Sequence, residues 1–169
     1  MAINTKNDLS NLWMAMGRTT PWQDEENPPQ EDPTVTSLDD TILGYRRFDR
    51  ALLVVPVDPT SPNPPTGSGV ISYKANQWEV VADADAYAKQ ARYVYLDAKI
   101  TPGEDNFSYG VYRQVGLYHN LVPATGYESN VSLNPAQVAD PGMLVGFDNN
   151  KSQRFTDNVS ILEQIIVKF

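Results

Sequence analysis

The stretch Tyr109-Gly110-Val111-Tyr112-Arg113-Gln114-Val115-Gly116-Leu117-Tyr118-His119-Asn120-Leu121 decides the fold class. Val111, Val115 and Leu117 share a face with Arg113 and His119, a period of two. That period marks a β-strand, where successive side chains point to opposite faces. Upstream, Ala91–Ile100 alternates likewise, with Tyr93 and Tyr95 on one face and Val94 and Leu96 on the other. Pro102-Gly103-Glu104-Asp105-Asn106 between them is turn chemistry, so the two runs predict a hairpin.

Working outward, Ala51–Val57 is an apolar, β-branched run and reads as a buried strand. Residues 56–69 carry five prolines and two glycines, which suits an extended, solvated loop rather than a strand. Val70–Ala75 and Trp78–Ala82 read as short strands about a turn at Asn76-Gln77, and Asp83–Gln90 as a weak helical turn capped by Asp83. Residues 123–142 read mostly as loop, and Met143–Phe147 as a short strand ended by a turn at Asp148-Asn149-Asn150. The last strand, Val159–Phe169, puts Val159, Ile161, Ile165, Val167 and Phe169 on the core face, with Ser160, Gln164 and Lys168 opposite. Ser37-Leu38-Asp39-Asp40 has the form of a capping box, which predicts a short helix over Leu38–Asp49. Its basic end, Arg46, Arg47 and Arg50, would suit the helix dipole. At the start, Asp8–Met16 fits a helix and Asn11–Met16 fits a strand equally well. The expected fold is mainly β: an antiparallel β-sandwich-like single domain over residues 1–169, with one or two short helices and long Pro-rich surface loops at 23–37 and 56–69.

Composition narrows the function. The 169 residues include 13 Lys and Arg against 21 Asp and Glu, a net charge of −8. That balance argues against a nucleic-acid binder, which needs clustered cations, and against a polybasic membrane anchor. No apolar run approaches the ~18–20 residues of a spanning helix, and the first residues show no secretory signal pattern. Without cysteine there is no disulfide, thiolate-held zinc or thiol nucleophile, and His119 is the sole histidine. No nucleic-acid or membrane partner and no cofactor or metal are expected.

Catalytic candidates are few. Seven of the 21 acids lie in residues 23–40, where no Lys or Arg occurs. Glu25-Glu26 and Asp39-Asp40 form carboxylate pairs of the kind hydrolysis uses, yet in a Pro-rich loop they read as solvated charge. Asp83, Asp85, Asp97, Glu104 and Asp105 lack the spacing of a calcium loop. His119 reads as a polar strand-end residue. There is no nucleophile elbow, dinucleotide fingerprint or phosphate loop. Arg18 and Arg113 sit beside or within apolar strands and require carboxylate partners, in an internal salt bridge or across a subunit contact.

Three segments carry a family resemblance. Leu12-Trp13-Met14-Ala15-Met16-Gly17-Arg18-Thr19-Thr20-Pro21-Trp22, followed by Asp24, Glu25, Asn27 and Pro28-Pro29, resembles the N-terminal signature of a baseplate wedge subunit of contractile-tailed, T-even-type bacteriophages. Tyr112-Arg113-Gln114-Val115-Gly116-Leu117 is similar to an aromatic-Arg-Gln-Ile/Val strand of that family. Gly142, Phe147, Asp148-Asn149 and the closing run to Phe169 resemble its final strand pair. The segments occur in family order. The present chain is shorter than the T-even relative, and Lys151 follows Asn149-Asn150 where the family has Asn-Arg. The resemblance implies a strand at Asn11–Met16. It implies a non-enzymatic virion protein of the tail baseplate, made in the host cytoplasm and working by assembly with other baseplate proteins, as a homodimer. Arg18, Pro21, Trp22, Arg113, Gln114, Phe147 and Phe169 are its expected structural or interface residues. The Pro-rich loops would then lie on neighbours. A second reading is a tail-tip β-sandwich module binding a host surface glycan through Trp and Tyr, and a third is a cell-wall-cleaving tail enzyme. Burial of Trp13, Trp22 and Trp78 separates the first two.

Overall fold

The computed structural model describes residues 11–168, so Phe169 and the beginning of the alternative N-terminal helix lie outside the described residues. Among the described residues there are twelve strands: β1 Leu12–Gly17, β2 Gly44–Arg47, β3 Arg50–Pro56, β4 Val70–Tyr73, β5 Asn76–Val80 and β6 Tyr93–Ile100 in the first part. There follow β7 Gly110–His119, β8 Val122–Pro123, β9 Ser132–Leu133, β10 Val138–Asp140, β11 Met143–Phe155 and β12 Ile161–Lys168. Among the described residues there is no α-helix, only 3-10 turns of three residues. The mainly β, helix-poor class is therefore as expected.

The chain forms two compact units. One, built on residues 49–97 and 163–168, holds the sheet β12-β6-β3-β5-β4. The other, built on residues 11–48 and 98–162, holds the sheet β11-β7-β1-β2-β9 and the ribbon β10-β8. The β1–β2, β1–β7, β7–β11, β3–β5, β3–β6 and β4–β5 ladders are all antiparallel.

In the second unit β1 is central, and all six of its residues are buried. That explains why its periodicity fitted helix and strand alike: a strand covered on both faces does not alternate. Trp13 and Ala15 join Leu38, Tyr45, Tyr118, Leu121 and Leu133 in the core. Tyr45 and Tyr118 meet edge to face at 5.7 Å, and the Arg47 guanidinium lies 4.4 Å from the Trp13 ring centre. Burial, with the neighbouring Tyr118, raises the Tyr45 pKa to about 12.

The helix expected over Leu38–Asp49 is absent. Asp40 takes φ 50°, outside helical space, and the chain then enters β2. Gly44 sits under the Phe107 ring, where a Cβ would come within 2.7 Å, so the backbone must be extended and bare there. The three arginines meet separate partners instead of a helix end. Arg46 pairs with Asp105 at 3.1 Å, Arg47 covers Trp13, and Arg50 holds the buried Asp97.

Other boundaries also differ. β6 and β7 belong to different sheets, so the expected hairpin is not formed. Neither run could reveal this, because alternation gives a strand but not its neighbour. The β4–β5 turn falls at Lys74-Ala75, both with positive φ (45° and 63°), rather than at Asn76-Gln77. Two left-handed residues match the twist of a tight hairpin, although neither is Gly or Asn. The 3-10 turn Asp83–Asp85 is capped by Ala82 rather than Asp83. β11 does not stop at Asp148-Asn149-Asn150 but continues to Phe155. At the end, Val159 is 51% exposed and precedes the strand. Of the expected core face of β12, Ile165 is buried and Ile161 and Val167 are half-buried. Gln164, expected outside, donates through Nε2 to the Tyr95 hydroxyl at 2.6 Å and so ties the edge strand β12 to β6.

Candidate functional site

β11 is an edge strand made irregular by two bulges. Leu144 and Gly146 oppose consecutive residues of β7, Tyr118 and Leu117, which leaves Val145 as an extra residue. In an unbroken strand Leu144 and Phe147, three apart, would face opposite ways. The bulge lets both pack on the core around Trp13 and Tyr118. A second shift lies between Asn149 and Gln153, opposite Arg113.

The acidic loop folds against this strand. Leaving β1, the chain turns at Arg18, whose φ of 57° costs about 1–2 kcal/mol in a residue with a Cβ. The turn is held on several sides. The Arg18 N–H donates to the Asp39 carbonyl at 3.1 Å, its guanidinium pairs with the Asp39 carboxylate, and its charge lies 3.8 Å from the Trp22 ring centre. Trp22 is 8% exposed, and its indole N–H donates to the Asn150 carbonyl at 2.8 Å. Arg113 is buried. Its Nε donates to Glu25 at 2.7 Å and its terminal nitrogen to the Thr19 carbonyl at 2.6 Å.

Two amides link the ends of the loop. The side-chain carbonyl of buried Gln114 accepts from the Asp39 N–H at 2.8 Å, and its Nε2 donates to Asn149 Oδ1 at 2.9 Å. Asn149 in turn donates from Nδ2 to the Pro29 carbonyl at 2.9 Å and from its backbone to Glu31 at 3.1 Å. Lys151 pairs with Glu26. The Tyr118 hydroxyl accepts from the Leu38 N–H at 3.1 Å, seating the end of the loop on the core.

Four carboxyls of the acidic loop are held in their charged form. Hydrogen bonds from Thr20, Thr41 and Thr19 hold the Asp40 carboxyl well below the usual range. Lys151 lowers Glu26, Asn27 lowers Asp24, and Thr34 lowers Asp32. A general acid at neutral pH needs the reverse shift. Asp97 and Asp105, counted among possible calcium ligands, are paired with arginines, and no metal-binding group of three or more His, Asp or Glu occurs among the described residues.

Of the residues singled out in the sequence, Arg18, Trp22, Arg113 and Gln114 come together here, and half-buried Phe147 lies on the same strand as Asn149. Pro21 is exposed at the turn, and Phe169 lies outside the described residues. Asn149, Asn150 and Lys151 were not among the expected structural residues because the polar run of β11 reads as a turn, and neither were Pro29 and Glu31, which lie in the loop read as solvated. The signal was Gln114, a buried amide in an apolar strand that must find a polar partner. The segment around 27–33, expected to lie on neighbours, touches its own chain at Pro29 and Glu31. Trp13 and Trp22 are buried. Trp78 packs on Tyr93 at 5.1 Å and lines a depression of about 670 Å³ with Pro56, Pro59 and Pro64.

The fold and this clasp define a β-protein whose most developed polar site joins its own elements together and carries no catalytic motif. Over residues 1–169 the chain matches the family described as baseplate wedge 3 tail fiber network component, and it belongs to that family. It is 34% identical over 166 residues to "Virion protein 3" of Enterococcus phage phiEF24C, covering 98% of this chain and 88% of that protein. It is a phage structural protein associated with the tail.

Proposed function

We propose that the protein is a wedge component of the baseplate of a contractile-tailed phage, working by protein–protein assembly, without catalysis and as a homodimer. The observation that carries this reading is the convergence of the wedge-like segments on one clasp. Arg18 and Trp22 from the first, Arg113 and Gln114 from the second and Asn149 from the third bond to one another or to the acidic loop between them. Residues that resemble a family signature and spend their polar groups on each other build a fixed surface, which is what an assembly subunit needs. Burial of Trp13 and Trp22 removes two of the three indoles from the glycan-binding alternative.

The test is an electron-microscopy map of the intact tail from phage carrying an epitope-tagged copy of this chain. Density and label in the baseplate wedge are expected. Label confined to the tail tip or a fibre end overturns the wedge role. Sedimentation equilibrium at tens of micromolar tests the dimer separately, and a clean monomer there overturns it.

A further inference from the structure

The loop covers only part of the outer edge of β11. At Asn149 and Asn150 the edge is closed by Glu31, Pro29 and Trp22. Over Leu144–Phe147 the loop stands off, and a groove of about 260 Å³ opens between Glu31, Pro33 and Val35 on one side and Leu144, Val145, Gly146 and Phe147 on the other. Among the described residues no hydrogen bond joins the two walls there, and apart from its chain neighbours none lies within 4 Å of where a Gly146 Cβ would stand. An unpaired edge presents backbone donors and acceptors to any extended chain that reaches it. The groove is smaller than the ~300–1,000 Å³ of ordinary small-molecule pockets, and suits one or two side chains of a peptide.

Charge selects the occupant. Glu31 lines the groove and Asp32 follows it in the chain; both are exposed, and their hydrogen-bond partners, the Asn149 N–H and Thr34, are neutral. Within residues 11–48 and 98–162 there are thirteen acids against seven bases. A second copy laid along this edge would bring like charge to like charge, which costs several kcal/mol. A basic chain gains from the same field.

We propose that this groove takes an extended segment of a second, different polypeptide in which apolar and basic residues alternate. The segment lies along Leu144–Phe147, with an apolar side chain against Val35, Val145 and Phe147 and a Lys or Arg at Glu31, within the field that Asp32 adds. This deepens the assembly reading by giving it a docking site and a partner chemistry.

The experiment uses the full chain and two labelled, end-capped heptapeptides, one alternating Val with Lys and Arg, the other Val with Glu and Asp. Fluorescence anisotropy reads binding, and hydrogen exchange reads protection at residues 143–147. The basic peptide is expected to bind, weaken with salt and protect those amides, while the acidic one does not bind. The double variant Glu31→Gln, Asp32→Asn keeps the acceptor for Asn149 and is expected to weaken binding about five-fold, as for lost exposed ion pairs. Val35→Ser is expected to weaken it independently, and melting curves report whether each variant is folded. Equal binding of both peptides, or a folded double variant that binds unchanged, overturns the proposal. So does self-association that the basic peptide competes away, since the occupant is then a second copy. A chain found in the baseplate that ignores the basic peptide keeps the assembly role and loses this site.

Discussion

Replacing Trp22 by Ala tests the clasp most directly. The side chain is 8% exposed, stacks on the Arg18 guanidinium at 3.8 Å and donates its N–H to Asn150 at 2.8 Å. Truncating a buried Trp typically costs about 3–5 kcal/mol, a figure that already contains the lost contacts. For a chain of this size each kcal/mol lowers Tm by about 2–4 °C, so a fall of about 6–20 °C is expected in a circular dichroism melt. Trp22→Phe keeps an aromatic ring beside Arg18 and deletes only the N–H. Its cost should be that of one hydrogen bond, about 0.5–1.5 kcal/mol. Limited proteolysis separates local from global loss, because release of the clasp exposes residues 23–37 before either sheet opens. An Ala variant that melts within 2 °C of the parent (about the effect of 1 kcal/mol or less), with no added cleavage in 23–37, refutes the assignment.

Four further outcomes follow. A double-mutant cycle of Arg113→Met and Glu25→Gln, measured by urea denaturation, should give a coupling of about 1–3 kcal/mol, since Arg113 is buried and the bond is 2.7 Å. Gly142→Ala should cost about 2–4 kcal/mol, because φ is 75° and a Cβ would stand 2.3 Å from the His119 carbonyl oxygen, which is backbone and cannot step aside; a smaller loss in the same assay contradicts it. Asp24, Glu26, Asp32 and Asp40 all have depressed pKa values. Their contribution is complete above the ordinary carboxylate pKa of about 4 and is lost as pH falls through the lowered values, so Tm should be level near neutrality and drop below about pH 4. Tyr45, raised to about 12, loses its contribution as pH climbs from about 10, the ordinary value, through 12, and an absorbance titration of the parent against Tyr45→Phe should show the lost phenol ionising near 12.

What could be read in advance was local. Alternation located β6 and β7, and turn residues bounded them. Alternation cannot say which strand lies beside which, and so the hairpin was misplaced. The helix at Leu38–Asp49 failed because capping patterns describe a helix start only where the following residues need not be extended. Here Tyr45 must enter the core and Gly44 must pass beneath Phe107. The polar half of β11 was unreadable for a related reason. Asn149 and Asn150 have turn-like chemistry, yet their partners Gln114 and Trp22 lie 35 and 128 residues away in sequence. By contrast Arg18 and Arg113 were legible as residues needing carboxylates, since a cation beside an apolar strand has few other solutions.

The acidic loop shows how a chain of net charge −8 can hold its most acidic segment in a fixed place. None of the seven acids of residues 23–40 has a cation within that stretch, so an isolated loop would repel itself and remain extended. In the folded chain Glu25, Glu26 and Asp39 meet Arg113, Lys151 and Arg18. Asp24, Glu31, Asp32 and Asp40 are met by N–H and hydroxyl donors instead. Bonds to neutral donors satisfy a carboxylate without cancelling its charge. Cations therefore close the loop at its two ends, through Arg18 and Arg113. Glu31 lines the open groove and Asp32 follows it in the chain, both bound to neutral donors, so a partner can still use their charge. Proline assists by restricting the unfolded loop, which lowers the entropy lost when the clasp closes. The same residues thus fix the loop to its own sheet and leave one part of the sheet edge, with its field intact, for another chain.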